Sequence, residues 1–290
     1  FRGKMRESNC LRLSKVARLG LDSGKGEIQV KGVTQLLCKR CVLPETKPNI
    51  FFNEEGVCNL CLDYEKTKES LKAAPKLLES DLLKILTKHK GKQKYDCLAM
   101  CSGGKDSTSA LYYMKTRYGL NPLAFMFDNG FEQEDAIENV ENAAEKLGVD
   151  FLFFRTNKMK KMFQELVARD SKAVICHFCS IWYMDLAYET AARYEIPMIV
   201  AGWTKGQSTT QTVMNKCGCN SNQPEFKEMS AATKEFMDSF VKHEPDYKTF
   251  PYSMEEVLTK WSKRKILVIS PHWFLPFDQD AYVETIQREL

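Results

Sequence analysis

Six consecutive residues, Ser102-Gly103-Gly104-Lys105-Asp106-Ser107, carry two glycines, two hydroxyls, an ammonium and a carboxylate. The glycines let the backbone turn tightly and present its N–H groups, and a helix that opens there adds its positive end. Together these form an anion site suited to a pyrophosphate. Lys105 adds a point charge, and Ser102 and Ser107 add hydroxyl donors. Asp106 is out of place beside phosphates unless it holds Mg2+ or caps the helix. The spacing differs from that of the longer G-x-x-x-x-G-K-[ST] loop, which separates its glycines by four residues.

Thiols form the second chemical resource. Of eleven cysteines, eight lie in four close groups, and Cys10, Cys97 and Cys101 stand apart. Cys38-x2-Cys41-x16-Cys58-x2-Cys61 has the spacing of a four-thiolate zinc ribbon, with turns at Pro44, Pro48 and Gly56. A closed four-thiolate Zn2+ site is redox-silent, so its expected role is structural. Cys176-His177-Phe178-Cys179 falls where a helix is expected to begin, and a helix N-terminus favours the thiolate. Cys217-Gly218-Cys219 follows later in the chain. Cys176 and Cys179 with one of the later pair could set three thiolates around one point, all four could close a second zinc site, and two could act as a redox dithiol. His177 reads as a ligand, an acid/base group or a partly exposed loop histidine. Cys101 reads as a small buried hydrophobe.

Such groups need a framework, and the hydrophobic pattern supplies one. Apolar runs at Tyr95–Met100, Leu123–Phe127, Asp150–Phe154, Pro197–Ala201 and Ile266–Ser270 have strand length. Between them, helical spacing covers Ser107–Tyr118, Glu132–Leu147, Lys158–Ala168 and Ser180–Tyr194. Strand–helix alternation implies an α/β fold, a parallel sheet with helices on both faces, and ligands at the carboxyl ends of the strands. The glycine pair, the stretch Met126-Phe127-Asp128-Asn129-Gly130 and the turn Ala201-Gly202-Trp203 all fall at such ends. Lys205 reads equally as a phosphate contact or a solvated lysine. Trp182 and Tyr183 are expected on a core-facing side of their helix. Pro271–Phe277, with His272, Trp273 and Phe274, lines a pocket or covers a core edge.

The chain of 290 residues is 43% hydrophobic and 28% charged, enough to bury a sizeable core. No run approaches eighteen apolar residues, so no membrane partner is expected. Residues 1–40 hold ten Lys/Arg against three Asp/Glu, while the remaining 250 hold 32 against 35. The basic arm reads as a solvated tail or as a contact for a polyanion such as RNA. Grouped cysteines in a chain of this size fit a reducing, cytoplasmic compartment. The chain opens on Phe1 without a charged-then-apolar leader, as expected of a piece of a longer reading frame. The expected organisation is a basic arm (1–35), a four-cysteine zinc-ribbon-like segment (36–62), a helical connector (63–94) and the α/β domain (95–290).

Ser-Gly-Gly-Lys-Asp-Ser, set between a strand and a helix, resembles the signature of the PP-loop ATP pyrophosphatases, with an adenine nucleotide alpha-hydrolase-like fold. The resemblance implies that ATP and Mg2+ bind residues 102–107, that Lys105 and Asp106 take part in catalysis, and that ATP is cleaved to AMP and pyrophosphate while a substrate oxygen is adenylated. It further implies that the backbone of Met126, Phe127 and Asp128 meets the adenine and that Gly202 lies near the ATP. The Cys38–Cys61 segment resembles the amino-terminal part of N-acetyl sugar amidotransferases, which take ammonia from a separate glutaminase. The set Cys176, Cys179 and Cys217 or Cys219 resembles the iron–sulfur tRNA thiolation enzymes, whose three cysteines hold a [4Fe–4S] cluster beside the ATP. No cysteine follows Cys219, so the carboxy-terminal ribbon of those enzymes is absent from this sequence. Sulfur transfer to a small-molecule or RNA acceptor, with a sulfur donor as partner and Cys176 and Cys179 in catalysis, is the favoured expectation. Amide-forming transfer to an N-acetyl sugar and a non-catalytic zinc- and nucleotide-binding module are the alternatives, and a homodimer is compatible with each.

Overall fold

The computed structural model describes residues 27–30, 33–45, 50–73, 77–169, 171, 173–204, 224–276 and 279–290. Residues 1–26 of the basic arm, Lys205, Cys217, Cys219 and Phe277 lie outside them. The chain divides into two compact units, Phe1–Pro75 and Lys76–Leu290, a break that falls inside the 63–94 stretch. Among the described residues, no helix is long and apolar enough to cross a membrane.

In the first unit, β1 (Glu27–Val30) and β2 (Val33–Leu36) pair as an antiparallel hairpin, so the end of the 1–35 stretch is regular structure. Two short antiparallel bridges follow, Leu37 with Pro44 and Phe52 with Cys58, and then α1 (Asn59–Ala73). The bridges bring the two cysteine pairs together: Lys39 N donates to Gly56 O across them at 3.0 Å. Cys38, Val57 and Cys58 form the small buried centre.

The second unit is an α/β layer structure. It begins with α2 (Glu79–His89) and β3 (Cys97–Cys101), followed by α3 (Lys105–Tyr112), β4 (Pro122–Asp128) and α4 (Glu134–Leu147). Next come β5 (Phe151–Arg155), α5 (Lys158–Ala168), α6 (Ile175–Arg193) and β6 (Met198–Val200). The last elements are α7 (Pro224–His243), α8 (Met254–Trp261), β7 (Leu267–Ile269) and α9 (Gln279–Glu289). The five strands β3–β7 form one parallel sheet in the order β5-β4-β3-β6-β7.

Every residue of β3 and β4 is buried, which is why the two strands read as continuous apolar runs instead of alternating ones. Their period-2 alternation sorts side chains between two cores. Leu98, Met100, Phe125 and Phe127 pack with α5, α6, α7 and α8 on one face. Cys97, Ala99, Ala124 and Met126 face α2, α3 and α4 on the other. Two helices differ from the sequence spacing. The Ser107–Tyr118 helix starts at Lys105 and widens to π geometry over Tyr113–Arg117. The Ser180–Tyr194 helix starts at Ile175, because buried His177 and Phe178 carry its apolar face one turn further.

Candidate active site

The loop after β3 turns at Gly103, whose φ is +71°. A Cβ there would lie 2.2 Å from Ala136 O on α4, so only glycine fits both the conformation and the space. Gly104 differs: it is the extended N-cap of α3, with ordinary room for a Cβ. Ser107 closes the loop, accepting from Ser102 N at 3.1 Å and donating to Gly104 O at 3.0 Å. Lys105 Nζ and Asp106 Oδ2 pair at 3.0 Å, and both side chains keep some exposure. Asp106 Oδ1 is buried and has no hydrogen-bond partner.

The end of β6 forms the facing wall. Gly202 lies so close to α3 that a Cβ would come within 2.5 Å of Ser107 N. Between the walls opens a cavity of about 310 Å3, lined by Ser102, Gly104–Ser107 and Ala201–Trp203. Its third side is α6, through Ser180, Tyr183 and Met184. Tyr183 is held by its hydroxyl, whose one hydrogen is shared between Cys101 O at 3.2 Å and Phe125 O at 3.3 Å. The cavity thus sits where chain connections diverge to opposite edges of the sheet, between β3 and β6, which is where open α/β sheets bind ligands. The loop backbone, the N-terminus of α3 and Lys105 line it, a set of groups that can hold an anion.

The sequence-derived residues separate under this geometry. Ser102, Gly104, Lys105, Asp106, Ser107 and Gly202 line the cavity, and Gly103 shapes the turn. Met126, Phe127 and Asp128 lie on the neighbouring β4, with Met126 paired to Cys101, and none of the three lines the cavity. Asp128 is tied at its strand end by Arg155, Gly130 and Glu132. Burial alone would raise its carboxyl, but Arg155 and the N–H donors of Gly130 and Glu132 hold it below the usual range.

Cys176 and Cys179 stand one turn apart in the first turns of α6, Cys176 exposed and Cys179 partly buried. The expected thiolate preference does not hold at Cys179. Burial pushes that thiol up, and the amide of Asn129, donating to its Sγ at 3.3 Å, only partly offsets the effect. His177 is not a partly exposed loop residue. It is buried, and its Nδ1 faces Thr233 Oγ1 at 2.8 Å. Thr233 spends its own hydrogen on Met229 O, so Nδ1 donates. Cys101 is buried, its thiol pushed up to about 12 by desolvation. Trp182 and Tyr183 pack on the core. Pro271–Leu275 are buried and cover the core edge, with Trp273 stacked on Trp203 at 6.2 Å. Ser180 and Met184 were not legible as site residues, although their spacing with Tyr183 places them on one helix face.

In the first unit, the Sγ atoms of Cys38, Cys41, Cys58 and Cys61 all lie within 4.8 Å of one another. The Cys41–Cys58 and Cys38–Cys61 sulfurs are 3.6 and 4.0 Å apart. A tetrahedral zinc with bonds of roughly 2.3 Å has sulfur–sulfur edges of roughly 3.8 Å, so these thiols can hold a metal ion. Burial raises the Cys38 thiol, but backbone N–H donors from Cys58, Arg40 and Cys41 outweigh it and bring it down to about 6. Such donors stabilise a thiolate ligand.

Residues 92–224 match the family described as thiamine biosynthesis protein (ThiI). An uncharacterized protein of Methanocaldococcus jannaschii is 33% identical over 166 residues, 57% of this chain and 58% of that protein. Cytoplasmic tRNA 2-thiolation protein 1 of Malassezia globosa is 28% identical over 122 residues, 39% of this chain and 33% of its own. The aligned part thus spans from a third to under two thirds of these relatives. Among solved structures, U34-tRNA thiolase NcsA from Methanococcus maripaludis with its [4Fe-4S] cluster aligns over 87% of this chain and 72% of its own, at 16% identity and a TM-score of 0.38. The glycine turn between β3 and α3 lies within the matched stretch, so residues 92–224, with that turn, are similar to the family described as thiamine biosynthesis protein (ThiI).

Proposed function

We propose that this protein cleaves ATP to AMP and pyrophosphate to adenylate an oxygen of its acceptor, and then transfers sulfur to the activated carbon, with tRNA as the acceptor class. The observation that carries the reading is the cleft itself: the Ser102–Ser107 turn and the N-terminus of α3 converge on a cavity whose third wall is the cysteine-bearing helix α6. The α6 wall lies one residue beyond Cys179, so a thiol-held group there would adjoin the nucleotide.

In this account the β- and γ-phosphates rest on the backbone N–H groups of the turn, and Lys105 neutralises the departing pyrophosphate. Asp106, with an unpartnered buried oxygen, would hold the Mg2+ that shields the phosphates. The acceptor oxygen attacks the α-phosphorus, the α–β bridging bond breaks, and AMP becomes the leaving group of the second step. Positioning and charge stabilisation are the protein's contribution. Cys176 and Cys179, with Cys217 or Cys219, would hold a [4Fe–4S] cluster, which supplies an open iron position for sulfide. Zn2+ at Cys38, Cys41, Cys58 and Cys61 would act structurally.

The elevated, hydrogen-bonded thiol of Cys179 favours a second reading, in which these thiols are structural and ammonia from a glutaminase replaces sulfur. Anaerobically prepared protein separates the two. Iron with labile sulfide and a thiolated acceptor are expected, whereas zinc alone and an aminated sugar would overturn sulfur transfer. The Lys105→Ala variant should keep its fold and lose pyrophosphate release by a factor on the order of a hundred or more, as expected for loss of a charge on the leaving group. Unchanged release would remove the phosphate role, and no release from the unaltered protein with any acceptor would favour a non-catalytic module.

A further inference from the structure

The two walls of the cleft come from different strands, β3 and β6, yet one short segment after β7 bonds to both. Ser270 is fully buried and its Oγ donates to Trp203 O at 2.7 Å, at the β6 wall. His272, two residues on and equally buried, places Nε2 2.8 Å from Asp106 O, in the first turn of α3. A carbonyl oxygen only accepts, so Nε2 carries the hydrogen. Ser109, 3.4 Å from the same nitrogen, already donates its own hydrogen to Asp106 O at 3.0 Å. The ring is held in place by Tyr282, with centroids 4.7 Å apart. Burial lowers the histidine's proton affinity, against an opposing pull from the Asp106 carbonyl, and Nε2 can donate in either protonation state of the ring.

From this geometry we infer that His272 and Ser270 are positioning residues of the nucleotide cleft, a strap that sets the phosphate loop against the β6 wall. The inference rests on the ATP reading of the cleft. Neither Ser270 nor His272 is among the residues that line the cavity. The strap acts through the carbonyls of Asp106 and Trp203, and both residues line the cavity. Where Gly202 and Ser107 already meet backbone to backbone, displacing either wall changes the seat offered to the phosphates.

The test compares His272→Gln, which keeps an N–H donor near the position of Nε2, with His272→Phe, which keeps the ring and loses the donor. Pyrophosphate release is measured as KM and kcat for ATP and KM for the acceptor, and binding of a non-hydrolysable ATP analogue is measured alongside. His272→Phe should raise the KM for ATP about five- to tenfold, the size of one lost hydrogen bond, and leave the acceptor KM unchanged. His272→Gln should restore the ATP value to within about twofold. Should His272→Phe fail to fold, Ser270→Ala carries the same expectation at about two- to fivefold. A folded Phe variant with an unaltered KM for ATP would overturn the strap, as would a Gln variant impaired as much as Phe. An unaltered protein that does not bind the ATP analogue overturns the nucleotide reading itself, and the strap's role with it.

Discussion

Two neighbouring glycines do different work in the loop, and the difference can be measured. At Gly103 a side chain meets both a positive φ and the Ala136 carbonyl. Gly103→Ala should therefore cost about 2 kcal/mol of stability or more, read by chemical denaturation. At Gly104 the backbone is extended and the nearest atom to a Cβ is Ser102 Oγ at 3.5 Å. Gly104→Ala should keep wild-type stability and, if the cleft holds ATP as proposed, lose ATP affinity, because the added methyl group sits in the cavity lining. Equal stability loss in both variants would contradict this division of roles. The turn was readable from residue types, since two adjacent glycines between an apolar run and a helical stretch mark a tight connection. The burial of Cys179 and His177 was not, because it depends on Asn129 and Thr233, which are far away in sequence.

Among the elements, the cysteine-bearing bridges of the first unit make the clearest demand on a metal. The Cys41–Cys58 and Cys38–Cys61 sulfurs lie 3.6 and 4.0 Å apart around a centre that, among the described residues, buries Cys38, Val57 and Cys58, a small core for a segment of this length. Cys58→Ser should release bound zinc and abolish the melting transition of the first unit, as metal binding and folding are linked. Unchanged zinc content and melting would contradict the assignment. In the second unit, His272 links stability to pH. Its buried ring holds a proton less tightly than the ordinary value of 6.5, so the unfolded chain takes up the proton first as pH falls. The contribution is complete above that value and declines below it. Denaturation at about pH 7.5 and about pH 5.5 should show a drop in stability that is smaller in His272→Gln. His177 and His89, also lowered by burial, contribute to the remainder. Strands β3 to β7 were legible as apolar runs because helices cover both faces of the sheet. Helices α7, α8 and α9 were not anticipated, because their core-facing residues are interleaved with charges and their partners lie across the sheet.

At the level of the whole molecule, the order β5-β4-β3-β6-β7 brings together what the chain keeps apart: residues 102–107, 201–203 and the start of α6 enclose one cleft. The strand–helix alternation made that parallel sheet foreseeable, whereas the tie from Ser270 and His272 needed the register of β7 on β6. The central claim is that this cleft directs cleavage to the α-phosphorus. ATP labelled at that phosphorus, incubated with the protein and a tRNA acceptor, tests it most directly. Labelled AMP and an equal amount of pyrophosphate are expected, and labelled ADP with inorganic phosphate would contradict the account.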